Sequence, residues 1–292
     1  MRERTELVCG NAHKFRHFYR LPVAFSVMSQ RIRLDALLTQ RGLFPSRSRA
    51  AAAVMAGDVR LCAPGARSAK PGQMVLVDAE IEVVERARYV SRGGIKLENA
   101  LGLLGLDVSG RRCLDAGAST GGFTDCLLQA GAAEVIAVDV AYGELAWSLR
   151  EDPRVHLLER TNARQLNAAQ LPYRPEVITA DLSFISLTKV LPALIDRAGE
   201  NFDAVVMVKP QFEVGRDRVG RGGVVRDPQL RKEAVEAVAE FARARCGTAV
   251  LGFASSGLPG PKGNQESFIH LAEAGRAGEL GDLGAVIDEA GL

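Results

Sequence analysis

Four short apolar runs, each ending at a charged residue, constrain the fold of this chain more than any other feature. The runs are C-L before Asp115, V-I-A-V before Asp139, V-I-T-A before Asp181 and A-V-V-M-V before Lys209. Short runs rich in Val and Ile are typical of buried parallel strands. In an open α/β sheet the carboxyl ends of the strands line the ligand crevice. The sequence therefore predicts an α/β fold whose pocket holds three aspartates and a lysine.

A glycine-rich turn follows the first run. From Asp115 the chain reads D-A-G-A-S-T-G-G and continues into a helical pattern, which is the order strand, nucleotide-binding loop and helix. Dinucleotide sites use G-x-G-x-x-G, whose middle glycine lets the backbone approach a pyrophosphate. Here Gly117 and Gly122 hold the outer places, but Ser119 holds the middle one. The loop therefore favours a ligand without pyrophosphate, such as S-adenosyl-L-methionine, whose ribose hydroxyls Asp139 would bind.

Composition limits the class of protein. With 292 residues, 47% of them hydrophobic, the chain is long enough for one sizeable core and a small extra domain. Its five cysteines form no C-x-x-C pair, which fits a reduced cytoplasm and argues against a zinc site or a disulfide framework. The spacing of Cys9, His13 and His17 is the one metal-like pattern, and it lies in an irregular leader, so no metal is predicted. No run approaches the roughly 18 to 20 apolar residues that span a bilayer, so no stable membrane association is predicted.

Residues 1–28 are predicted to be a disordered extension. The apolar stretch Leu21–Met28 follows basic residues, but it is short for a secretory signal and contains Pro22 and Ser26. Met28 stands directly before the first patterned segment, which makes it an alternative start of the functional chain.

The net charge of +2 conceals a basic region near the N-terminus. Residues 29–70 contain eight Lys or Arg and two Asp. Arginine forks suit phosphate oxygens, and a clustered basic face indicates nucleic-acid binding, although a solvated helix face is the alternative. Within this region R-I-R-L-D-A-L-L predicts an amphipathic helix, and Ser46 is the predicted N-cap of a second helix. The segment G-D-V-R-L then predicts a turn into a strand.

These segments resemble the S4 RNA-binding fold. The likeness is carried by R-L-D-A-L-L, S-R-S-R-A, G-D-V and K-P-G-Q. It implies a small α+β RNA-binding domain over residues 29–85, followed by a linker at 86–88 and a second domain over 89–292. The residues predicted to bind RNA are Arg31, Arg33, Arg47, Arg49 and Arg92.

The second domain resembles the TlyA family of ribosomal RNA methyltransferases, some of whose members are also called haemolysins. The motifs, in order, are Y-V-S-R-G-G-I-K-L, D-A-G-A-S-T-G-G-F-T, A-D-L-S-F-I-S-L, V-K-P-Q-F-E and G-P-K-G-N-Q-E. The likeness implies a Rossmann-like class I methyltransferase of the FtsJ/RrmJ type. Such enzymes move a methyl group from S-adenosyl-L-methionine to a ribose 2′-hydroxyl, and in this family the expected target is cytidine in ribosomal RNA.

The resemblance also implies a catalytic tetrad, with Glu213 as an alternative for its last member. A ribose hydroxyl must lose its proton as it attacks the methyl group. Lys209 could take that proton only in its neutral form, which a second cation nearby would favour. Each member also has a structural interpretation, such as a helix cap or a solvated strand end. The tetrad comprises Lys96, Asp181, Lys209 and Glu266.

The predicted cofactor contacts combine the glycine-rich loop with polar residues after the strands. Asn162 follows the apolar run Val155–Leu158, where such enzymes often contact the adenine, although an ordinary turn residue is the alternative. Trp147 is predicted to lie in the core rather than to stack on a base. The cofactor set is Asp115, Gly117, Ser119, Thr120, Gly121, Gly122, Asp139, Asn162 and Asp181.

Three other functions remain open from the sequence. A haemolysin or pore would need a membrane-inserting segment, and none is visible. An RNA-binding ribosome factor with an inactive catalytic domain is disfavoured by the intact tetrad, and a dinucleotide oxidoreductase is disfavoured by Ser119. The sequence therefore predicts a cytoplasmic enzyme that acts on ribosomal RNA or ribosomal subunits, and it does not indicate the oligomeric state.

Overall fold

The chain divides into two structural units, Met1–Ala87 and Arg88–Leu292, in the computed structural model. The structure describes residues 30–62, 69–83 and 87–292 in full, together with the backbone of residues 17 and 18. The division falls inside the stretch 86–88 that the sequence predicts as a linker. Cys9 and His13 of the metal-like spacing lie outside the described residues.

The first unit is a small α+β body in which two helices pack on short antiparallel strands. Leu34, Leu37 and Leu38 are fully or almost fully buried and pack with Ala50 and Val54. Its elements, numbered in chain order, are β1 (His17–Phe18), β2 (Arg31–Arg33), α1 (Leu34–Gln40), α2 (Arg47–Met55), β3 (Val59–Leu61), β4 (Met74–Leu76) and β5 (Ile81–Val83). Strand β5 pairs with β3 and β1, and β2 pairs with β4, all antiparallel.

The first helix starts later than the sequence pattern predicts. R-I-R was predicted to begin an amphipathic helix, and this is wrong because Arg31–Arg33 form β2 and pair with β4. The helix begins at Leu34, because the first free amides of α1 are bound from outside: Leu34 N donates to Gln73 O and Asp35 N to Pro71 O. The second helix agrees with its prediction, since the Ser46 side chain accepts a hydrogen bond from Arg49 N.

One part of the leader has regular structure. The backbone of His17–Phe18 pairs with β5, with His17 opposite Val83 and Phe18 opposite Glu82. This departs from the prediction of disorder over residues 1–28, and the strand edge of β5 provides the partner for the pairing. The other residues of that stretch lie outside the described part of the chain.

The second unit is built around a sheet of seven strands. Its elements are α3 (Arg92–Leu104), β6 (Arg112–Ala116), α4 (Gly122–Gln129), β7 (Glu134–Val138), α5 (Trp147–Arg150), β8 (Val155–Leu158), β9 (Val177–Ala180), α6 (Leu191–Ile195), β10 (Asp203–Val208), α7 (Pro210–Glu213), α8 (Pro228–Cys246), β11 (Thr248–Ser255), β12 (Ser267–Glu273) and α9 (Leu283–Glu289). The strand order in the sheet is β11-β12-β10-β9-β6-β7-β8. The four predicted strands are confirmed: they are β6, β7, β9 and β10, and adjacent members of the group are parallel. Strand β12 is antiparallel to both of its neighbours.

The strand order determines where a ligand can bind. From β6 the chain adds β7 and β8 on one side and then β9 and β10 on the other. Helices on the two faces therefore diverge between β6 and β9, which opens a crevice at the carboxyl ends of these strands. Two separate buried clusters cover the two faces of the sheet, one centred on Leu114 and Ile178 and the other on Cys113 and Val205. None of the helices in the described residues is both long and apolar enough to cross a bilayer.

Gly122 lets the start of α3 approach the start of α4. A Cβ at Gly122 would collide with Ser91 Oγ and lie 2.9 Å from Gly94 N. Gly94 makes room for a different neighbour, since a Cβ there would collide with the ring of Tyr89. Helix α3 carries Lys96. The absence of side chains at this crossing therefore brings Lys96 close to the glycine-rich loop.

We expect the substitution Gly122→Ala to destabilise the protein by about 1–3 kcal/mol, because an added methyl group would overpack the crossing of the two helices. The matched control is Gly102→Ala in α3, where a Cβ meets no atom within 4 Å. That change should be neutral or stabilise by about 0.5–1 kcal/mol, because Gly is a poor helix former. Chemical denaturation measures both variants, and equal stabilities would show that the crossing has room to relax.

Candidate active site

A cleft of about 420 Å³ opens at the carboxyl ends of β6, β9 and β10. Its volume is in the range of small-molecule sites. Lys96 reaches it from α3, Asp181 and Lys209 from the ends of β9 and β10, and Glu266 from the residue before β12. The lining residues are Ser91, Arg92, Gly93, Lys96, Gly117, Ala118, Ser119, Thr120, Gly122, Phe123, Asp181, Lys209, Pro261 and Glu266.

Lys96 and Glu266 form a buried ion pair on one side of the cleft. Lys96 Nζ donates to Glu266 Oε2, and the two side chains are 8% and 2% exposed. A Cβ at Gly260 would lie 2.5 Å from Glu266 Oε1, so the absence of a side chain there makes room for the carboxylate. Breaking such a pair would leave one buried charge without compensation. The pair therefore fixes two polar groups at the wall of the cleft.

Lys209 and Asp181 form a second pair. Lys209 Nζ lies 2.5 Å from Asp181 Oδ1 and donates to Ser183 Oγ at 2.9 Å. Asp181 Oδ1 is buried and receives no well-directed hydrogen bond from any described residue, so Lys209 compensates its charge by proximity. Asp181 is the residue after β9, and it does not cap a helix.

Glu213 and Glu266, the two alternatives for the last member of the tetrad, have different surroundings. Glu213 accepts hydrogen bonds from Ser186 Oγ at 2.6 Å and Leu187 N at 2.9 Å, and so it holds the turn after β9. Burial raises the pKa of Glu213, and these hydrogen bonds oppose the effect. Glu213 does not line the cleft, whereas Glu266 does.

The glycine-rich loop is shaped by residues in the left-handed conformation. Gly117 has φ +85°, Ser119 +49° and Gly121 +98°. A Cβ at Gly117 would lie 2.5 Å from the carbonyl oxygen of Asp181, which requires glycine at this position. The left-handed backbone of Ser119 is strained, because a side chain stands here at the place where dinucleotide sites have glycine.

Asp115 supports this loop from below and does not reach the cleft. It is fully buried, and its Oδ2 accepts hydrogen bonds from Thr124 N at 2.9 Å and Thr124 Oγ1 at 2.7 Å. Burial raises the pKa of Asp115 to about 7, against the effect of the Thr124 hydrogen bonds. The predicted pocket of three aspartates and a lysine is therefore corrected: Asp181 and Lys209 line the cleft, and Asp115 ties the loop to α4.

The comparison with known families decides the class. Residues 89–273 match the family model described as FtsJ-like methyltransferase. The chain is also 53% identical to the 16S/23S rRNA (cytidine-2′-O)-methyltransferase TlyA of Mycobacterium tuberculosis, over 84% of this chain and 91% of that protein. The chain belongs to the TlyA family of FtsJ-like methyltransferases.

Other relatives of this methyltransferase are named as haemolysins. The chain is 39% identical to the protein called Hemolysin A of Brachyspira hyodysenteriae, over 82% of this chain and 99% of that one. A solved structure from Streptococcus thermophilus with a provisional hemolysin name is similar with a TM-score of 0.65 and 38% identity. The similarity covers 90% of this chain and 97% of that one, so the two-unit chain has a relative of known structure along almost its whole length.

Two further residues of the predicted cofactor set are bonded to the backbone of the methyltransferase. Asp139 Oδ2 accepts from Ser119 N and Oδ1 from Ala141 N, both at 2.7 Å, so this carboxylate braces the loop at the edge of the cleft. Asn162 is exposed, and its Oδ1 accepts from Arg164 N at 3.0 Å as the cap of a short 3₁₀ turn. Neither lines the cleft itself, and Thr120 does.

The predicted RNA-binding residues lie in both units. Arg92 is exposed at the start of α3 and lines the cleft. The other members of the set belong to the first unit, where Arg31 and Arg33 are on β2 and Arg47 and Arg49 are on α2. Of the five arginines, Arg92 lines the cleft.

The sequence-based predictions missed one exposed aromatic side chain, Phe184, at this edge of the sheet. Phe184 is 92% exposed with φ +64°, three residues after Asp181, and its ring centroid lies 5.3 Å from that of Phe212. Trp147 is 74% exposed, so its prediction as a core residue is wrong.

Asn264 fixes the loop that carries Glu266. It is 2% exposed, and its side chain accepts from Val225 N at 2.9 Å and donates to Gly223 O at 2.8 Å. Its own carbonyl accepts from Gly260 N. The segment 257–266 is therefore tied to the basic, glycine-rich segment 215–226, which sequence patterns alone did not indicate.

The raised pKa of Asp115 leads to a pH prediction. Between its ordinary value of 3.8 and about 7, the folded state holds a proton that the unfolded state has released. The free energy of unfolding therefore loses a contribution as pH rises through this interval. In Asp115→Asn this dependence is absent, so the stability of the variant relative to the parent should increase from pH 5 to pH 8.

Urea denaturation at a series of pH values measures this difference. The control is Asp107→Asn, which changes an exposed aspartate of the same unit and should give a constant difference. A constant difference for Asp115→Asn as well would show that Asp115 is ionised throughout the range.

Proposed function

We propose that this methyltransferase transfers the methyl group of S-adenosyl-L-methionine to the ribose 2′-hydroxyl of cytidine in ribosomal RNA. The observation that carries the proposal is the presence of two lysine–carboxylate pairs on one cleft beside a glycine-rich loop. Relatives named as rRNA (cytidine-2′-O)-methyltransferases support the choice of substrate. The enzyme would meet this substrate in the cytoplasm.

The residues around the cleft fit S-adenosyl-L-methionine, which carries a ribose diol, an ammonium group and a carboxylate. Asp139 would accept hydrogen bonds from the diol next to the loop that it braces. Asp181 Oδ1 is buried at the cleft with an unused acceptor position, which could take a hydrogen bond from the ammonium group. When bound, the cofactor supplies an electrophilic methyl group on a sulfonium centre.

Lys209 is the group that we assign to proton transfer. A ribose hydroxyl attacks as it loses its proton, so a base must stand beside the oxygen. Asp181 and Ser183 occupy two sides of Nζ, which leaves the remaining tetrahedral side of the amine for the substrate. Once the Lys209 ammonium has released a proton to solvent, the neutral amine takes the hydroxyl proton, and Asp181 compensates the ammonium charge that returns.

Lys96 and Glu266 would position the ribose rather than exchange protons. The buried carboxylate of Glu266 holds the Lys96 ammonium in one place, which reduces the reorganisation needed when substrate arrives. An ammonium fixed at the cleft wall can donate a hydrogen bond to a ribose oxygen and stabilise negative charge that develops there. Since Lys96 comes from α3, the crossing at Gly122 contributes to this alignment.

Phe184 would receive a base beside the reacting ribose. The ring is almost fully exposed, and its left-handed backbone holds it outward next to Asp181. Stacking on an exposed aromatic ring stabilises an unpaired base irrespective of its sequence. The arginines of the first unit and Arg92 would bind phosphates, which carry the sequence-independent part of RNA affinity.

The direct test incubates purified protein with radiolabelled S-adenosyl-L-methionine and unmodified 16S and 23S rRNA or ribosomal subunits. Nuclease digestion followed by mass spectrometry should then find 2′-O-methylcytidine. Methyl groups on bases alone would refute the ribose assignment. Leakage of liposomes by the same preparation without RNA methylation would instead support the haemolysin alternative.

We expect Lys209→Ala to reduce the single-turnover methylation rate by about 10² or more, because a general base is lost. Binding of cofactor and RNA should stay within a few fold of the parent enzyme. Lys209→Arg should not restore the rate, since a guanidinium stays protonated and cannot take the hydroxyl proton.

The matched control is Lys189→Ala, which removes an exposed lysine of the same unit and should have normal turnover. Near-normal turnover of the Lys209→Arg enzyme would show that Lys209 acts by charge or positioning, and the base assignment would have to be abandoned.

We expect Phe184→Ala to lower kcat/KM for rRNA by about tenfold or more, the scale of one lost stacking contact. Affinity for S-adenosyl-L-methionine should not change, and Phe184→Trp should retain activity because it keeps an aromatic face. Leu103→Ala is the control, since Leu103 is 68% exposed on α3. Equal losses for Phe184→Ala and Leu103→Ala would mean that exposure alone, rather than stacking, explains the effect.

A further inference from the structure

A buried carboxylate lies in the middle of the basic surface of the first unit. Asp35 is 4% exposed in the first turn of α1, between the core residues Leu34 and Leu37. Its Oδ1 and Oδ2 accept hydrogen bonds from Arg33 Nε at 3.2 Å and Arg33 Nη2 at 2.7 Å. Arg47 Nη2 lies 3.3 Å from Oδ1. One carboxylate thus contacts an arginine from β2 and another from α2.

Both arginines keep their charge accessible while Asp35 holds them. The side chain of Arg33 is 50% exposed and that of Arg47 is 58% exposed, against 6% for Asp35. A Cβ at Gly72 would lie 3.3 Å from two nitrogens of Arg33, so the backbone at Gly72 packs closely against the guanidinium. By contrast, the side chain of Arg49 on α2 forms no hydrogen bond or ion pair with any residue of the described ranges 30–62, 69–83 and 87–292.

The negative charge of Asp35 should by itself lower the affinity of this surface for a polyanion such as RNA. The guanidinium of Arg33 holds the pKa of Asp35 below its ordinary value, so the carboxylate is ionised at neutral pH. It partly cancels the attraction of the two arginines for phosphate. However, it also removes rotamer freedom from two long side chains before a ligand arrives, and ordering such side chains is a substantial part of the cost of binding.

We propose that Asp35 is a positioning residue that holds Arg33 and Arg47 as a preformed clamp for an RNA phosphodiester. This inference rests on the proposed RNA function. Arg33 uses one edge of its guanidinium for Asp35 and presents the rest to solvent, and Arg47 uses one nitrogen. The phosphate would bind across the two exposed edges, in the geometry that the guanidinium fork favours.

The test compares two variants of the full-length protein that remove the same charge. Asp35→Asn is nearly isosteric and releases the arginines, whereas Asp78→Asn removes an exposed aspartate of the same unit. Binding to in vitro transcribed 16S and 23S rRNA is measured over a range of salt concentrations. We expect Asp35→Asn to weaken binding about tenfold, since two side chains must then be ordered on binding. Asp78→Asn should strengthen it slightly, because RNA affinity is largely electrostatic.

Both variants lose one negative charge, so a purely electrostatic role of Asp35 predicts stronger RNA binding in both. A positioning role predicts weaker binding for Asp35→Asn alone. If Asp35→Asn binds rRNA as tightly as the parent or more tightly, the positioning role is wrong. The same change in an Arg33→Ala, Arg47→Ala background should weaken binding no further, because Asp35 acts through these two side chains. Equal weakening in both backgrounds would assign Asp35 to folding stability alone, and this also overturns the proposal.

A measurement on the parent protein remains informative if Asp35→Asn does not fold. In NMR spectra of arginine Nε–H groups, the proton of Arg33 should exchange with water several-fold more slowly than that of Arg49. Equal exchange rates would overturn the proposal. Failure of the parent protein to bind or methylate rRNA would refute the proposed function itself, whereas rRNA methylation with tight binding by Asp35→Asn refutes the clamp alone.

Discussion

The close approach of two strand ends is the constraint on which the rest of the active site depends. The loop after β6 meets the end of β9 where Asp181 N donates to Ala116 O, and Gly117 leaves no room for a side chain against the Asp181 carbonyl. This contact places the glycine-rich loop and Asp181 on the same rim of the cleft. Helix α3 and the segment before β12 then need to supply only one charged side chain each to complete the cleft.

The charges at this rim are compensated in pairs rather than collectively. Each lysine has its own carboxylate, and the pairs come from different elements, with α3 joined to the start of β12 and β9 joined to β10. Removing one partner would leave a buried charge, so the two pairs are coupled to folding as well as to chemistry. The first unit differs, because there a single carboxylate, Asp35, contacts two arginines.

The sheet could be predicted because its signal is local. Runs such as V-I-T-A before Asp181 identify a buried strand and its carboxyl end without any knowledge of neighbours. The burial of each carboxylate could not be predicted in the same way. Asp115 and Asp181 both follow apolar runs, yet Asp115 is fully buried and only Asp181 lines the cleft. The start of α1 at Leu34 depends on acceptors about 40 residues away at Pro71 and Gln73, which no periodicity reveals.

Three non-glycine residues among those described have left-handed backbones, namely Ser119, Arg160 and Phe184. Each follows the carboxyl end of a parallel strand, at β6, β8 and β9, so the strain is concentrated along the carboxyl edge of the sheet. Such conformations cost about 1–3 kcal/mol each and persist only when the surrounding fold enforces them. A search for heat-resistant variants would therefore select glycine at these positions. The selected proteins would be more stable, but their loops after the strands would be less rigid. High thermostability would therefore be a misleading guide to improved enzymes of this design.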